Sequence, residues 1–403
     1  MVLDHIRSGQ RIWVGGSSNE PTGLLDVLRE AELPEALTFI QFPLPGFNNV
    51  DFTALSPTAR QETFFMSPAL KNAAPGRLAF VPMQMRSVYD YLSRNVDVVL
   101  LQAARDADGR LRVGPNMDFV EAALGAATTV IVEINEGFTA PPGTLLLDEA
   151  HISASIESDR PLPSIPAPAI DDAAAAIGAH VADLIRDGDC IQTGIGSIPA
   201  AILSRLGGRN DLGLHGGLLD EGGMKLIRDG NVTGIRKAVD KGVHVTGMAL
   251  GTDALYQWLA HTPEVRFRGA NHTHEVSVIC ELDNFVSINS AVEVDLYGQV
   301  NAEFAGGRQL SGTGGSVDFM RGARGSRGGR SIIAMNATAR GGSVSRIVPK
   351  VELVTALRTD VDMVVTEHGV ARLEGRSVAD RSEQLIGIAA PEFRDALRDQ
   401  APT

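Results

Sequence analysis

A structural pattern begins twice in this chain of 403 residues, and the repetition limits what it can fold into. A short apolar run, a glycine turn and a proline opening a leucine-rich stretch occur at Gly16-Ser-Ser-Asn-Glu-Pro21 and again at Gly194-Ile-Gly-Ser-Ile-Pro199. Setting the two side by side superposes Gly16 on Gly194 and Pro21 on Pro199. Leu24, Leu25 and Leu28 then fall on Ile202, Leu203 and Leu206. That spacing puts each apolar set on one face of a helix. Strand patterns at 11–14, 37–42, 78–82, 96–101 and 128–134 alternate with helical ones such as 20–33, as in a parallel sheet. The second half restarts with a helix over 171–185 and a strand over 189–193. The expected fold class is α/β, with two related open-sheet domains and a site in the cleft between them.

Four prolines at 161, 163, 166 and 168 read as an extended linker. The expected domains are therefore 1–160 and 171–403, joined by a linker over 161–170. Hydrophobic residues at 44% and charged residues at 21% fit a soluble globule, and the length suits two cores rather than one. A formal charge of −13 argues against nucleic acid or an anionic membrane as partner. An anionic ligand must then meet local basic groups or helix N-termini. The opening Met-Val-Leu-Asp-His-Ile-Arg has no apolar core, and no run reaches ~18 apolar residues. A cytoplasmic, soluble protein is expected. Cys190 and Cys280 sit in apolar runs and are expected to be buried free thiols.

Several segments can carry chemistry. Gly194-Ile-Gly-Ser-Ile-Pro199 follows a strand and opens a helix, so Gly194 and Gly196 can offer backbone N–H groups to an anion or a polarised carbonyl. It is not a dinucleotide fingerprint, because the third glycine is missing. Phe304-Ala-Gly-Gly-Arg-Gln-Leu-Ser-Gly-Thr-Gly-Gly-Ser-Val-Asp-Phe-Met-Arg-Gly-Ala323 holds a second such loop, with Gly312, Gly314 and Gly315 behind Arg308 and Gln309. Ile288-Asn-Ser-Ala-Val-Glu-Val-Asp-Leu-Tyr-Gly-Gln-Val-Asn301 alternates like a hairpin and puts Glu293 and Asp295 on one face, either as an acid/base pair or as a solvated edge. Arginines 321, 324, 327 and 330 recur every three residues, as a phosphate-binding patch or a solvated basic loop.

These segments together resemble the acetyl-CoA hydrolase/transferase family, from about Gly15 to the C-terminus. The 306–319 run matches its Gly-x-Arg-Gln-x-Ser-Gly-x-Gly-Gly-x-x-Asp-Phe motif, and Val364-Val-Thr-Glu-His-Gly-Val-Ala371 and Ile288-Asn-Ser-Ala291 match two others. The resemblance implies a CoA-transferase fold, a CoA thioester as substrate, no metal and a homodimer. It also implies that Gly194, Gly196, Gly312, Gly314, Gly315, Gln309 and Arg308 serve as oxyanion or CoA-binding groups. Glu367 is expected to brace the 312–315 loop.

One departure reshapes the functional expectation. The family reads Gly-Ile-His-Ser/Thr-Glu-Met-x-Ser-Asp-Gly where this chain has Gly213-Leu-His-Gly-Gly-Leu-Leu-Asp-Glu-Gly222. Gly217 thus stands at the glutamate that carries the acyl group and then CoA as covalent adducts. His274 stands where the family has asparagine. The expected activity is direct transfer of an acyl group from a CoA thioester to a small acceptor, without an acyl-glutamyl intermediate. His215 and His274 are the candidate catalytic bases. Gly216, Gly217 and Glu221 are expected to line the acceptor pocket, opened by the missing side chain. Three other readings stay open: an acyl-CoA hydrolase, a conventional CoA-transferase with Asp220 or Glu221 as carrier, and a silent CoA-binding protein.

Overall fold

A computed structural model describes residues 2–402. Packing divides them into two compact units. The first runs to Pro166 and takes back Val245–Thr273; the second holds Ala167–His244 and the chain from His274 onward. The returning segment is a difference from the sequence expectation, which left it in the C-terminal domain. It is bound to the first unit by backbone pairing: Met117 N–H donates to Gly247 O at 2.8 Å and Ala249 N–H to Pro115 O at 2.9 Å.

The first unit is built on a parallel sheet. Its strands lie in the order Leu78–Phe80, Arg60–Thr63, Thr38–Gln41, Arg11–Val14, Val98–Arg105, Thr129–Asn135 and Ala154–Ser158, with Leu111–Val113 paired antiparallel to Val98–Arg105. Apolar runs such as 98–101 are buried on both faces, as parallel sheets covered by helices require. The stripe Leu24, Leu25 and Leu28 packs with Ile12, Phe39, Val98 and Ile131. Its helix, Thr22–Arg29, is shorter than the sequence pattern and starts after Pro21, its N-cap. The Glu133 carboxylate accepts from the N–H groups of Gly23 (2.7 Å) and Leu24 (3.1 Å), meeting the positive end of that helix. A Cβ at 23 would lie 2.8 Å from the Glu133 Oε1, so only glycine admits this contact.

The second unit repeats the plan. Its sheet runs Gly213–Leu214, Cys190–Gln192, Phe285–Asn289, Arg330–Ala334, Met363–Thr366 and Gly369–Arg372, parallel except for the last strand. In both units the first strand lies between the second and a later one: Arg11–Val14 between Thr38–Gln41 and Val98–Arg105, Cys190–Gln192 between Gly213–Leu214 and Phe285–Asn289. Ile202, Leu203 and Leu206 are buried like their counterparts Leu24, Leu25 and Leu28. The expected α/β class with open parallel sheets is what forms. Cys190 is buried but Cys280 only half-buried, a partial departure from expectation.

Candidate active site

Parallel strands bring their carboxyl ends to one edge of a sheet, where sites of open α/β folds gather. In the second unit Cys190–Gln192 and Phe285–Asn289 end in polar residues there. The Gln192 Oε1 accepts from the Ser287 hydroxyl and the Asn289 amide, each at 3.2 Å, and that amide also donates to the Ser287 Oγ at 2.8 Å. This cluster carried no role in the sequence reading. The available signal was a polar side chain inside strands otherwise buried and apolar.

The turn after Gly213–Leu214 carries His215, Gly216 and Gly217 past this cluster. A Cβ at 216 would stand 3.3 Å from the Gln192 Cγ. A small cavity of about 10 Å³ lies there, lined by Gln192, Thr193, Gly216, Asp220 and leucines. Asp220 is committed to a local task. As N-cap of the helix Glu221–Arg228 its Oδ1 accepts from Gly223 N–H at 2.9 Å, and burial raises its carboxyl above the usual range. Glu221, the expected pocket residue, is the first residue of that helix and half-buried.

The expected open space beside Gly217 is not open. A Cβ built there meets the His274 imidazole at 3.1 Å, at both Cε1 and Nε2. At Gly315 a Cβ would meet the same Nε2 at 2.3 Å, so glycines of two loops meet the ring. It is 1% exposed and packs on Phe319, the ring centroids 4.5 Å apart at 44°. Burial pushes its pKa down to about 3. A ring shifted this far is a neutral imidazole and a weak base. His215 lies fully buried in the same aromatic row, edge-on to Phe285 at 6.3 Å, with Phe285 next to Phe319 at 6.3 Å. Neither histidine presents an accessible face to a ligand from solvent.

The glycine loops divide in character. Added Cβ atoms at Gly194 and Gly196 would meet nothing within 4 Å, so ligand atoms can approach this backbone. Gly196 has φ +114° and immediately precedes the helix Ser197–Ser204, whose first N–H groups face outward from it. In the second loop Gly314 has φ +53° and Gly315 precedes the helix Ser316–Gly325. Gln309 is turned into the loop: its Nε2 donates to the Glu303 Oε2 at 2.6 Å and to Ser311 O at 3.2 Å. Leu310 N–H donates to Glu303 O at 2.7 Å, so Glu303, unremarked in the sequence, sets the shape of the loop. Arg308 is exposed on the strand Arg308–Gln309, and Gly312 is buried.

Three other expectations are revised. The arginine patch is neutralised residue by residue: Arg321 with Asp360 (3.4 Å), Arg324 with Asp362 (3.1 Å), Arg327 with Asp283 and Arg330 with Asp189. Asp295 is fully buried and organises a turn, accepting from the N–H groups of Tyr297 (3.0 Å) and Gln299 (2.9 Å), which ends the acid/base reading for it. Glu367 accepts from Ala337 N–H at 2.8 Å and so braces the segment after Arg330–Ala334.

Comparison with known proteins fits this geometry. Residues 2–151 match the acetyl-CoA hydrolase/transferase N-terminal domain and residues 251–401 its C-terminal domain. The chain belongs to the acetyl-CoA hydrolase/transferase family. It is 34% identical over 408 residues to the 4-hydroxybutyrate coenzyme A transferase of Clostridium kluyveri, covering 99% of this chain and 95% of that one. An acetyl-CoA hydrolase of Eremothecium gossypii is 26% identical over 370 residues, 77% of this chain and 68% of that one. The solved 4-hydroxybutyrate CoA-transferase of Porphyromonas gingivalis superposes with a TM-score of 0.82 at 31% identity, over 99% of this chain and 95% of that one. This family member is thus an enzyme of the CoA-thioester class, in which transfer and hydrolysis both occur.

Proposed function

We propose that the protein moves an acyl group directly from a CoA thioester to a small acceptor, without an enzyme-bound acyl or CoA adduct. The observation that carries this reading is the pair at the centre of the site: no side chain at Gly217, and the His274 imidazole 3.1 Å from where one would begin. Asp220, the nearby carboxylate, is engaged by the end of its own helix.

In this scheme the acceptor's lone pair adds to the thioester carbonyl carbon, the C–S bond breaks, and CoA leaves as a thiolate that takes up the acceptor's proton. Gly194 and Gly196 supply backbone N–H groups to the carbonyl oxygen as charge develops on it. Gly312, Gly314 and Gly315 shape the opposing loop, and exposed Arg308 meets a CoA phosphate. Gly216 keeps the turn thin where the thioester approaches. His274 acts as a neutral hydrogen-bonding wall, and His215 backs it through the aromatic row. The same reading takes the enzyme as cytoplasmic and, as the family resemblance implies, a homodimer; light scattering checks the assembly.

The test is intact-mass analysis after incubation with acetyl-CoA and butyryl-CoA, paired with initial rates at varied acyl-CoA and acceptor. Unmodified enzyme and intersecting double-reciprocal lines are expected. A CoA or acyl adduct on any carboxylate, with parallel lines, makes the protein a conventional CoA-transferase instead.

A further inference from the structure

The backbone at Gly217 lies outside the left-handed region, since the residue is absent from the positive-φ set. A side chain is therefore conformationally allowed there, and the obstruction it meets first is the His274 ring. Gly315 approaches the same ring nitrogen, so closely that a Cβ there would lie 2.3 Å from Nε2. Phe319 supports its face. A buried, neutral imidazole also offers no positive charge to hold a carboxylate.

From this arrangement we infer that His274 is the specificity-determining residue of the site. The imidazole fills the volume in which a carboxylate beside the thioester would have to lie. Neither a side chain from position 217 nor a free carboxylate reaches the carbonyl, and the acceptor is an uncharged nucleophile such as water, an alcohol or an amine. The bar to carboxylate chemistry is thus steric and sits at two residues, 217 and 274. This inference rests on the proposed reading that the site handles acyl-CoA.

Removing both obstacles makes the excluded chemistry possible. In a Gly217→Glu, His274→Ala variant, a carboxylate oxygen of residue 217 attacks the thioester carbonyl. The C–S bond breaks and CoA leaves as thiolate, giving a mixed anhydride. The thiolate then attacks the side-chain carbonyl carbon of the anhydride, the bond from that carbon to the bridging oxygen breaks, and the acid departs as its carboxylate. A CoA thioester of residue 217 remains, with no oxidant or reductant needed.

The experiment compares four forms: the unaltered protein, Gly217→Glu, Gly217→Glu with His274→Ala, and Gly217→Glu with His274→Leu. Leucine restores much of the ring's bulk without its nitrogens. Each is checked by thermal melt, by calorimetric binding of butyryl-CoA, by intact mass, and by label exchange between acetyl-CoA and acetate. The expected result is a CoA adduct and at least tenfold faster exchange in the alanine double variant alone. An adduct in Gly217→Glu alone, or an equal adduct in the leucine form, overturns the steric role of His274. So does an alanine double variant that melts normally and binds butyryl-CoA yet forms no adduct. Loss of butyryl-CoA binding by the unaltered protein defeats the functional reading beneath it, and a spontaneous adduct in the unaltered protein overturns both.

Discussion

His274 and Gly315 are interlocked: the imidazole Nε2 lies 2.3 Å from where a Cβ at 315 would stand. Because the ring is packed on Phe319, it has little room to yield. Gly315→Ala is therefore expected to lose about 1–3 kcal/mol of stability, the usual size of overpacking in a close-packed interior. Gly194→Ala is the contrast, since a methyl there meets nothing within 4 Å. It should leave the unfolding midpoint nearly unchanged and weaken acyl-CoA binding, because the added carbon stands where ligand atoms approach the backbone. Urea unfolding and calorimetric titration of the two variants separate these outcomes. Equal destabilisation by both would contradict the assignment.

The first unit holds a carboxyl group that titrates unusually late. Glu20 is buried beside Gln41, whose Nε2 donates to its Oε1 at 2.8 Å, and burial raises its pKa from 4.5 to about 7. A raised value means the folded state holds the proton more tightly than the unfolded chain. The linked stabilisation is complete below about pH 4.5 and is lost as pH rises through 7, in total about 3 kcal/mol. Glu20→Gln keeps an acceptor for Gln41 and cannot ionise. Its urea midpoint should gain on the parent between pH 5 and 8 by roughly that amount. A constant difference across the range would show that Glu20 does not titrate there.

Two arginines of the former patch predict opposite costs. Arg330 and Asp189 are 11% and 2% exposed, so Arg330→Met leaves a buried carboxylate without its partner and should cost about 3–5 kcal/mol. Arg327 is 85% exposed, and Arg327→Ala should leave the urea midpoint nearly unchanged. Since Arg321, Arg324 and Arg327 already have aspartate partners, alanine at any of them should leave the Kd for CoA within about twofold. A tenfold loss on replacing one would restore the phosphate-binding role.

The architecture was readable wherever local periodicity and packing agree. The stripe of Leu24, Leu25 and Leu28 and its echo at Ile202, Leu203 and Leu206 disclosed both units, because an apolar face must be buried. The strand Arg60–Thr63 was invisible, since Arg-Gln-Glu-Thr has no apolar alternation. Two of its side chains find partners outside the strand: the Gln61 Oε1 accepts from Phe52 N–H at 3.0 Å, and Glu62 pairs with Arg11 at 2.9 Å. The arginine partners also come from afar, Asp189 being separated from Arg330 by 141 positions. Nothing local announces such pairs. At the site, the identities of residues 215–217 and 274 were legible, but not their volumes. Glycine in a sequence implies room, and only the path of the chain reveals that the room is taken by His274.

The ionisation of His274 offers the sharpest check on its role. Its pKa falls from 6.5 to about 3 through burial, so the folded protein keeps the ring neutral where the unfolded chain would protonate it. A depressed value gives stabilisation that is present above 6.5 and is lost as pH falls toward 3, about 1 kcal/mol for each pH unit below 6. Nitrogen-15 spectra of the histidine rings should show this one neutral at pH 5, when exposed imidazoles are protonated. His274→Gln should unfold with a shallower acid dependence. The rate of acyl transfer should show no inflexion near 6.5 that vanishes in this variant, because a ring already neutral has no proton to lose there. An inflexion at that pH abolished by His274→Gln would restore the imidazole as general base, and with it an accessible, solvated ring in place of a buried wall.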